Sequence, residues 1–316
     1  MTGTTSDPPP ANSNPPPGAP IVCLGEVLVD FICERAVEEM TDGGAFVPHF
    51  GGSVANIAVT ASRHGARVAL ASGAGEDPWG RWLRDRLRRE QVDLSLFELV
   101  PDAPTPVAIV AVGAGGEPSY QIYGEAIETV VHGFAGRIEE AMSAASGLFF
   151  SSNTLVGPEE REVTMRAREV ALGLGRPIIF DPNLRLERWR TRAEAAATVN
   201  ACVPGALLVR ANAEEAALMT GEDDPDRAAL ALVKAGARMV VITLGADGAL
   251  LRGELRLDVP GRPANVVSTI GAGDVLTGVL LARLAGSGYY PSAVAASLPE
   301  AVLESSRACE RWGALE

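Results

Sequence analysis

From Ile21 onward, short apolar runs alternate with segments whose apolar residues recur at helical spacing. That alternation constrains the fold more than any other feature of the chain. RVALASGAG (67–75), GLFFSSN (147–153), PIIFDPN (177–183), ALLVRAN (206–212) and MVVITLG (239–245) read as strands, and IVCLGEVLVDFI (21–32) opens the series as a buried one. Between them, SVANIAVTASRHGA (53–66), EEREVTMRAREVALGLG (159–175) and EEAALMTG (214–221) carry the helical pattern. Strands alternating with helices build βαβ units, hence an α/β fold with a mainly parallel sheet and helices on both faces. Right-handed crossovers then bring the strand C-termini to one edge, where ligands bind in open sheets of this kind. Two segments, about 31–50 and 104–124, read as strands with no helix between and suggest a small β-sheet lid. The stretch 1–20 is rich in Pro, Ser, Thr, Asn and Gly, and is expected to be a disordered tail before one domain spanning 21–316.

Several function classes are disfavoured at once. Acidic residues outnumber basic ones by 40 to 27, for a formal charge of −13, a field that repels nucleic acid and anionic membranes. An anionic ligand therefore has to be held by local features. The basic run 81–90, RWLRDRLRRE, has helical spacing and reads as a solvated helix face. Cys23, Cys33, Cys202 and Cys309 form no CxxC pair, and His49, His64 and His132 show no ligand spacing. Neither a disulfide framework nor a zinc site is expected, and a reducing cytoplasm is the default location. No apolar run reaches the length of a membrane span, and the first twenty residues lack the basic and apolar regions of a signal peptide. Lys234, the only lysine, follows no glycine-rich loop. A GxxxxGK[ST] phosphate loop is thus absent, and so is a GxGxxG after the first strand.

Chemistry concentrates where strands end. In TIGAGDVLTGVLLARLAG (269–286), Gly271, Ala272 and Gly273 leave the backbone nearly bare where a helix begins at about Asp274. Backbone N–H groups at a helix N-terminus attract anions, and small residues allow close approach. Taken alone, Asp274 reads equally as a helix cap. Asn212 and Glu215 in NAEE likewise read as a helix start, and Asp30 as a turn former. An acid at the end of the apolar GEVLVD is nonetheless costly without partners.

Together these residues resemble the ribokinase-like (PfkB) carbohydrate kinases from about Ile21 to the C-terminus. Thr269 to Asp274 match the family's C-terminal T-x-G-A-G-D signature, and Gly51, Gly52, Asn56 and Ala58 match its N-terminal one. Between them, in the family's order, lie Gly75-Glu76-Asp77 with Gly80, Asp181 to Arg185 (DPNLR), Asn212 with Glu215, and Thr243 with Gly245 and Gly248. The resemblance implies a ribokinase-like three-layer sandwich with a mainly parallel central sheet and a β-sheet lid. It implies ATP-dependent phosphoryl transfer to a sugar hydroxyl, a reaction that needs alignment and charge neutralisation above all.

On that resemblance Asp274 is the base, and Gly271, Ala272 and Gly273 form the anion hole. The acceptor is bound by Asp30, Gly51, Gly52 and Asn56, with Tyr123 and Arg185 as further candidates. Nucleotide contacts fall to Asn183, Asn212, Thr243, Gly245, Gly248 and Gly273. Mg²⁺ is organised through water by Asn212 and Glu215. Ser268 stands where many members carry an Asp that helps bind an activating monovalent cation, so K⁺ activation is expected to be weak or absent. The Ala-Phe common after the catalytic Asp is Val275-Leu276 here. GEVLVDF, SSNTL and FDPNLRLERW are similar to the fructokinase branch. The rival branch, 2-keto-3-deoxygluconate kinase, typically carries a flap arginine after tyrosine. This flap reads YQIYGEAIE, with Tyr120, Tyr123, Glu125 and Glu128 and no arginine, and many fructokinases also have an arginine there. A nucleoside kinase is the third alternative of this fold. A non-catalytic sugar-binding regulator is the alternative of another class, set against the intact base and anion hole, and a metal-dependent hydrolase lacks a ligand cluster. The expected partners are a sugar and ATP, with a homodimer paired through the lid.

Overall fold

The computed structural model describes residues 15–124, 131 and 133–315. Most of the expected tail, and Glu125 and Glu128 of the flap, lie outside them. The chain runs β1 (Ile21–Leu24), β2 (Leu28–Ala36), β3 (Val47–Gly51), α1 (Ser53–Arg63), β4 (Val68–Gly75), α2 (Pro78–Arg89), β5 (Phe97–Val100), β6 (Val107–Val112) and β7 (Pro118–Tyr123). There follow α3 (Ile138–Ala144), β8 (Gly147–Ser151), α4 (Pro158–Gly173), β9 (Ile178–Asp181), α5 (Arg192–Asn200), β10 (Leu208–Asn212), α6 (Ala213–Thr220) and α7 (Pro225–Lys234). The last elements are β11 (Met239–Thr243), β12 (Gly248–Gly253), β13 (Leu257–Pro260), α8 (Ala272–Gly286) and α9 (Pro291–Ala308).

Nine strands form one sheet in the order β13-β12-β11-β10-β9-β8-β1-β4-β5. Every neighbouring pair from β11 to β5 is parallel, and β12 and β13 finish the far edge antiparallel. The near-continuous apolar strands are explained by burial on both faces. Ile21, Cys23, Phe149, Ile179, Leu208 and Val241 point into a core shared with α1, α2, α8 and α9. Their alternates Val22, Leu24, Phe150, Phe180, Val209 and Ile242 point into a second core shared with α3 to α7. The result is a three-layer α/β/α sandwich.

IVCLGEVLVDFI, read from sequence as one strand, is two. The chain leaves the large sheet at Gly25 and enters a four-stranded sheet, β3-β2-β6-β7. The break has a packing cause: a side chain at Gly25 would meet Val54 Cγ2 at 2.3 Å, so α1 crosses where β1 ends. Asp30 is therefore a mid-strand residue, paired in register with His49 and Ala108. The smaller sheet presents Leu28, Ile32, Ala108 and Val110 toward Ile270 and Trp312.

Helix α8 is apolar all round, as a fully buried helix should be, and residues Asp274 to Ala282 along it are buried. It packs on α1 at Gly278, where a Cβ would lie 2.5 Å from Thr60 Cβ and 3.0 Å from the Ile57 carbonyl. This close approach brings the starts of the two helices together. Gly278→Ala is expected to cost about 1–3 kcal/mol through overpacking and to lower activity, because the helix starts separate. Urea unfolding checks this; an unchanged midpoint would show that the helices are not in contact there.

Candidate active site

The C-terminal ends of β1, β8, β9, β10 and β11 open into a cleft of about 1120 Å³, roofed by the smaller sheet. Asp274 lies in it, buried in the first turn of α8. Its Oδ1 accepts from Ser53 Oγ at 2.7 Å and from Asn183 Nδ2 at 3.4 Å, and its Oδ2 accepts from Asn56 Nδ2 at 3.0 Å. Burial pushes the carboxyl above its ordinary range. The hydrogen bonds from Asn56 and Ser53 work the other way, as does the Arg185 charge, while Asp181 adds to the rise. Because it lies in the first turn with Gly271 as the N-cap and no side-chain cap bond, Asp274 is not capping its own helix.

The Gly51-Gly52 pair has a physical reason in each member. A Cβ on Gly51 would stand 2.3 Å from Asp30 Oδ2, so the acid fills the space of the missing side chain. Gly52 has φ +95° and lies against the Glu26–Val27 backbone, a conformation open to glycine. It cannot cap α1 with a side chain; Glu26 Oε1 accepts from the Ser53 N–H at 3.0 Å instead. Glu26 Oε1 also accepts from Asn153 Nδ2 at 2.8 Å, and Arg188 holds Asn153 by its carbonyl and Oδ1. Glu26 Oε2 and Asn56 Oδ1 are buried without hydrogen-bond partners, two open acceptors on residues lining the cleft. Burial pushes Asp30 up to about 7, aided by Asp274 and Glu26 and opposed by Arg185. Arg185 stacks over Tyr120, 5.0 Å from the ring centroid, and makes no carboxylate ion pair among the described residues.

A second buried network underlies the start of α8. Asp181, fully buried at the end of β9, accepts from Arg210 at 3.2 Å and from Thr277 Oγ1 at 2.8 Å. Arg210 also donates to Thr243 Oγ1 at 2.9 Å. Its guanidinium lies where a Gly273 side chain would be, with NH2 2.7 Å from the ideal Cβ position. A cation thus underlies the bare turn at the start of α8. The Ala272 N–H is donated to the Thr269 carbonyl at 3.3 Å and its carbonyl accepts from Ser305, which braces the turn from behind. Thr269 donates from both N and Oγ1 to the Gly116 carbonyl at the tip of the β6–β7 hairpin, so the lid is tied to this turn. Ser268 Oγ accepts from the Ile270 N–H at 3.1 Å.

Asn212 and Glu215 form a capping box for α6, and Glu215 also accepts from Leu184 N at 2.7 Å. Both Glu215 oxygens therefore serve backbone, and among the described residues no group of three or more acids, histidines or cysteines could hold a metal. Such a pair fits a Mg²⁺ held mainly by water and phosphate oxygens rather than by a protein cage.

Of the sequence-predicted residues, Asp30, Gly52, Asn56, Asn183, Arg185, Asn212, Glu215, Thr243, Gly245, Gly271, Gly273 and Asp274 line one cleft. Tyr123 does not; it is half exposed, because strand alternation turns Tyr120 and Ile122 inward instead. Gly248 lies away from the cleft lining, and its φ of +100° and a Cβ position 2.1 Å from the Val259 carbonyl give it a packing role. Asn183 directs its amide at Ser53 and Asp274. Sequence reasoning missed Ser53, Glu26 and Arg210; a charge inside the apolar ALLVRAN was the available signal for Arg210.

Comparison with known proteins identifies the family. Residues 19–302 match the pfkB family of carbohydrate kinases. The chain belongs to that family. It is an ATP-dependent carbohydrate kinase with a ribokinase-like fold. It is 30% identical over 266 residues to Fructokinase-1 of Oryza sativa subsp. japonica, covering 84% of this chain and 82% of that one. A fructokinase from Vibrio cholerae O395, solved with fructose, ADP and a calcium ion, superposes with a TM-score of 0.80 at 26% identity, covering 94% and 95% of the two chains. A sugar kinase from Pyrococcus horikoshii in complex with ATP gives 0.79 at 27% identity, covering 93% of each.

The raised Asp30 carboxyl has a stability consequence. A carboxyl whose folded pKa is raised contributes stability at low pH that is lost as the pH passes the folded value, here about 7. Asp30→Asn removes the ionisation, so its Tm should exceed that of the wild type at pH 8 by more than it does at pH 5. A Tm difference independent of pH would show that Asp30 titrates normally.

Proposed function

We propose that this kinase transfers the γ-phosphoryl group of ATP to the primary hydroxyl of a hexose, with fructose the preferred acceptor. The observation that carries the reading is the buried Asp274 carboxylate. It shares one cleft with Asp30 and the open acceptors of Asn56 and Glu26, and it stands beside the Arg210-backed turn at the start of its own helix, α8. Asp274 takes the hydroxyl proton, the oxygen forms a bond to the γ-phosphorus, and the bond to the β-phosphate oxygen breaks to leave ADP. Asp30 accepts hydroxyls of the sugar, which an acid can do for two neighbouring groups at once. The helix start and Arg210 offset charge on the transferring group. Asn212 and Glu215 would hold a divalent ion through water, and that ion would supply the neutralisation of the polyphosphate that no phosphate-loop lysine provides. The fructokinases among the relatives support the choice of acceptor.

A second reading, a sugar acid such as 2-keto-3-deoxygluconate, rests on Arg185, whose guanidinium has no carboxylate ion pair among the described residues and lines the same cleft. Fructose is favoured because Asp274, Asp30, Glu26 and Glu117 line the cleft as well, and a carboxylate brought among them is costly to desolvate. The test is kcat/KM for both acceptors on one preparation, measured by ADP release. Fructose is expected to lead, and a tenfold or greater advantage for the acid would reverse the assignment and make Arg185 its anchor. The same assay should show no turnover without a divalent cation. Replacing Na⁺ by K⁺ at equal ionic strength should change little, because Ser268 brings no carboxylate to a monovalent site; many-fold activation by K⁺ would contradict that.

A further inference from the structure

Ser53 opens α1 directly behind the base. Its hydroxyl donates to Asp274 Oδ1 at 2.7 Å and itself accepts from Asn183 Nδ2. An amide NH₂ can only donate, so the chain of bonds has one direction, Asn183 to Ser53 to Asp274. The Ser53 backbone is fixed independently, by Glu26 Oε1 at 3.0 Å, and Glu26 is held in turn by Asn153. Ser53, Asn183 and Glu26 are 8%, 6% and 3% exposed, so water has little access to these bonds. An acid on its N–H is what any helix start needs; the donor behind its hydroxyl, which turns that hydroxyl toward Asp274, is not.

A carboxylate turns readily about its last torsion, where the rotamer wells are broad. Two strong donors on different oxygens, Ser53 on Oδ1 and Asn56 on Oδ2, fix its plane. Without Ser53, Oδ1 keeps only the 3.4 Å contact to Asn183. The charged groups facing Asp274 are Glu26 from the β1–β2 link, Asp30 from β2, Asp181 from β9, Arg185 from the loop after β9 and Arg210 from β10. None of these five donates a hydrogen bond to its carboxylate.

We propose that Ser53, oriented by Asn183 and clamped by Glu26, is a positioning residue for the phosphoryl transfer, fixing the plane of the Asp274 carboxylate and holding it ionised. The inference rests on Asp274 being the base. Ser53→Ala should lower kcat by about 10–100-fold, the scale of a misplaced catalytic group, with KM for ATP unchanged within about twofold. It should also move the acid limb of kcat/KM to higher pH, since a donor to the ionised form is lost. Ser53→Thr, which keeps the hydroxyl, should restore both. Asn183→Gly is a second route if threonine does not fit: glycine accepts the φ of +39° at this position, and losing the donor should lower kcat in the same direction but less. Combined with Ser53→Ala it should add little, as expected for members of one network. An Ala variant with wild-type kcat and an unshifted acid limb overturns the proposal. So does a loss that appears only in Tm or in KM for ATP, or full additivity with Asn183→Gly. Asp274→Asn separates the two levels: near-normal turnover there removes the base itself, whereas an inactive Asn variant beside a normal Ser53→Ala removes only the positioning role.

Discussion

Asp181 and Arg210 form an ion pair with almost no access to solvent, and the geometry of the cleft around α8 depends on it. Asp181 ends β9 and Arg210 lies in β10; Arg210 reaches Thr243 at the end of β11, and Asp181 reaches Thr277 one turn into α8. Three strands and α8 are thus joined by four side chains. Breaking such a pair by removing one partner strands a buried charge, at a cost of about 3–5 kcal/mol. The arrangement also explains the bare turn. Gly273 has no side chain because Arg210 occupies that space, and a positive charge there favours an anion that the chain's net charge of −13 would otherwise repel. Local placement overrides the global field because the cation is buried, where screening is weak.

A second constraint works where the chain enters the smaller sheet. The chain passes from the large sheet into the lid within three residues, Gly25 to Val27, and α1 begins against that crossing. Glu26 therefore both ends the strand and caps the helix that presents Ser53 and Asn56. Asp30, two turns of pleat further on, looks back into the cleft from the lid. On the proposed reading of Asp30, lid position and acceptor recognition are consequently carried by one strand. The opposite end of the lid is tied to the turn before α8 by Thr269 and Gly116, so on the proposed reading both substrates meet the lid.

Much of this was legible in the sequence, for identifiable reasons. The βα alternation comes from strands buried on both faces, a local pattern. T-x-G-A-G-D and Gly-Gly-x-x-x-Asn are short because the turns they make are short. What could not be read was convergence. Ser53, Asn183 and Asp274 are separated by more than 90 residues at their nearest, and nothing local to Ser53 distinguishes it from a helix-start serine. Two misreadings had local remedies. In PSYQIY, counting by twos from Tyr120 places Tyr123 outside, and Gly25 before an acid marks the end of β1 rather than the middle of a longer strand. Gly248 matched a motif position but is required by its packing against β13.

The central claim is that Asp274 receives the acceptor proton while Asp30 holds the sugar. A structure of the protein with fructose and a non-hydrolysable ATP analogue tests it most directly. The expected result is a primary hydroxyl within about 2.6–3.2 Å of the Asp274 carboxylate, sugar hydroxyls on Asp30, and the terminal phosphate over the Gly271–Gly273 turn above Arg210. A sugar whose primary hydroxyl lies beyond reach of Asp274 and against another acid, with Asp274 still enclosed by Ser53 and Asn56, would contradict the account.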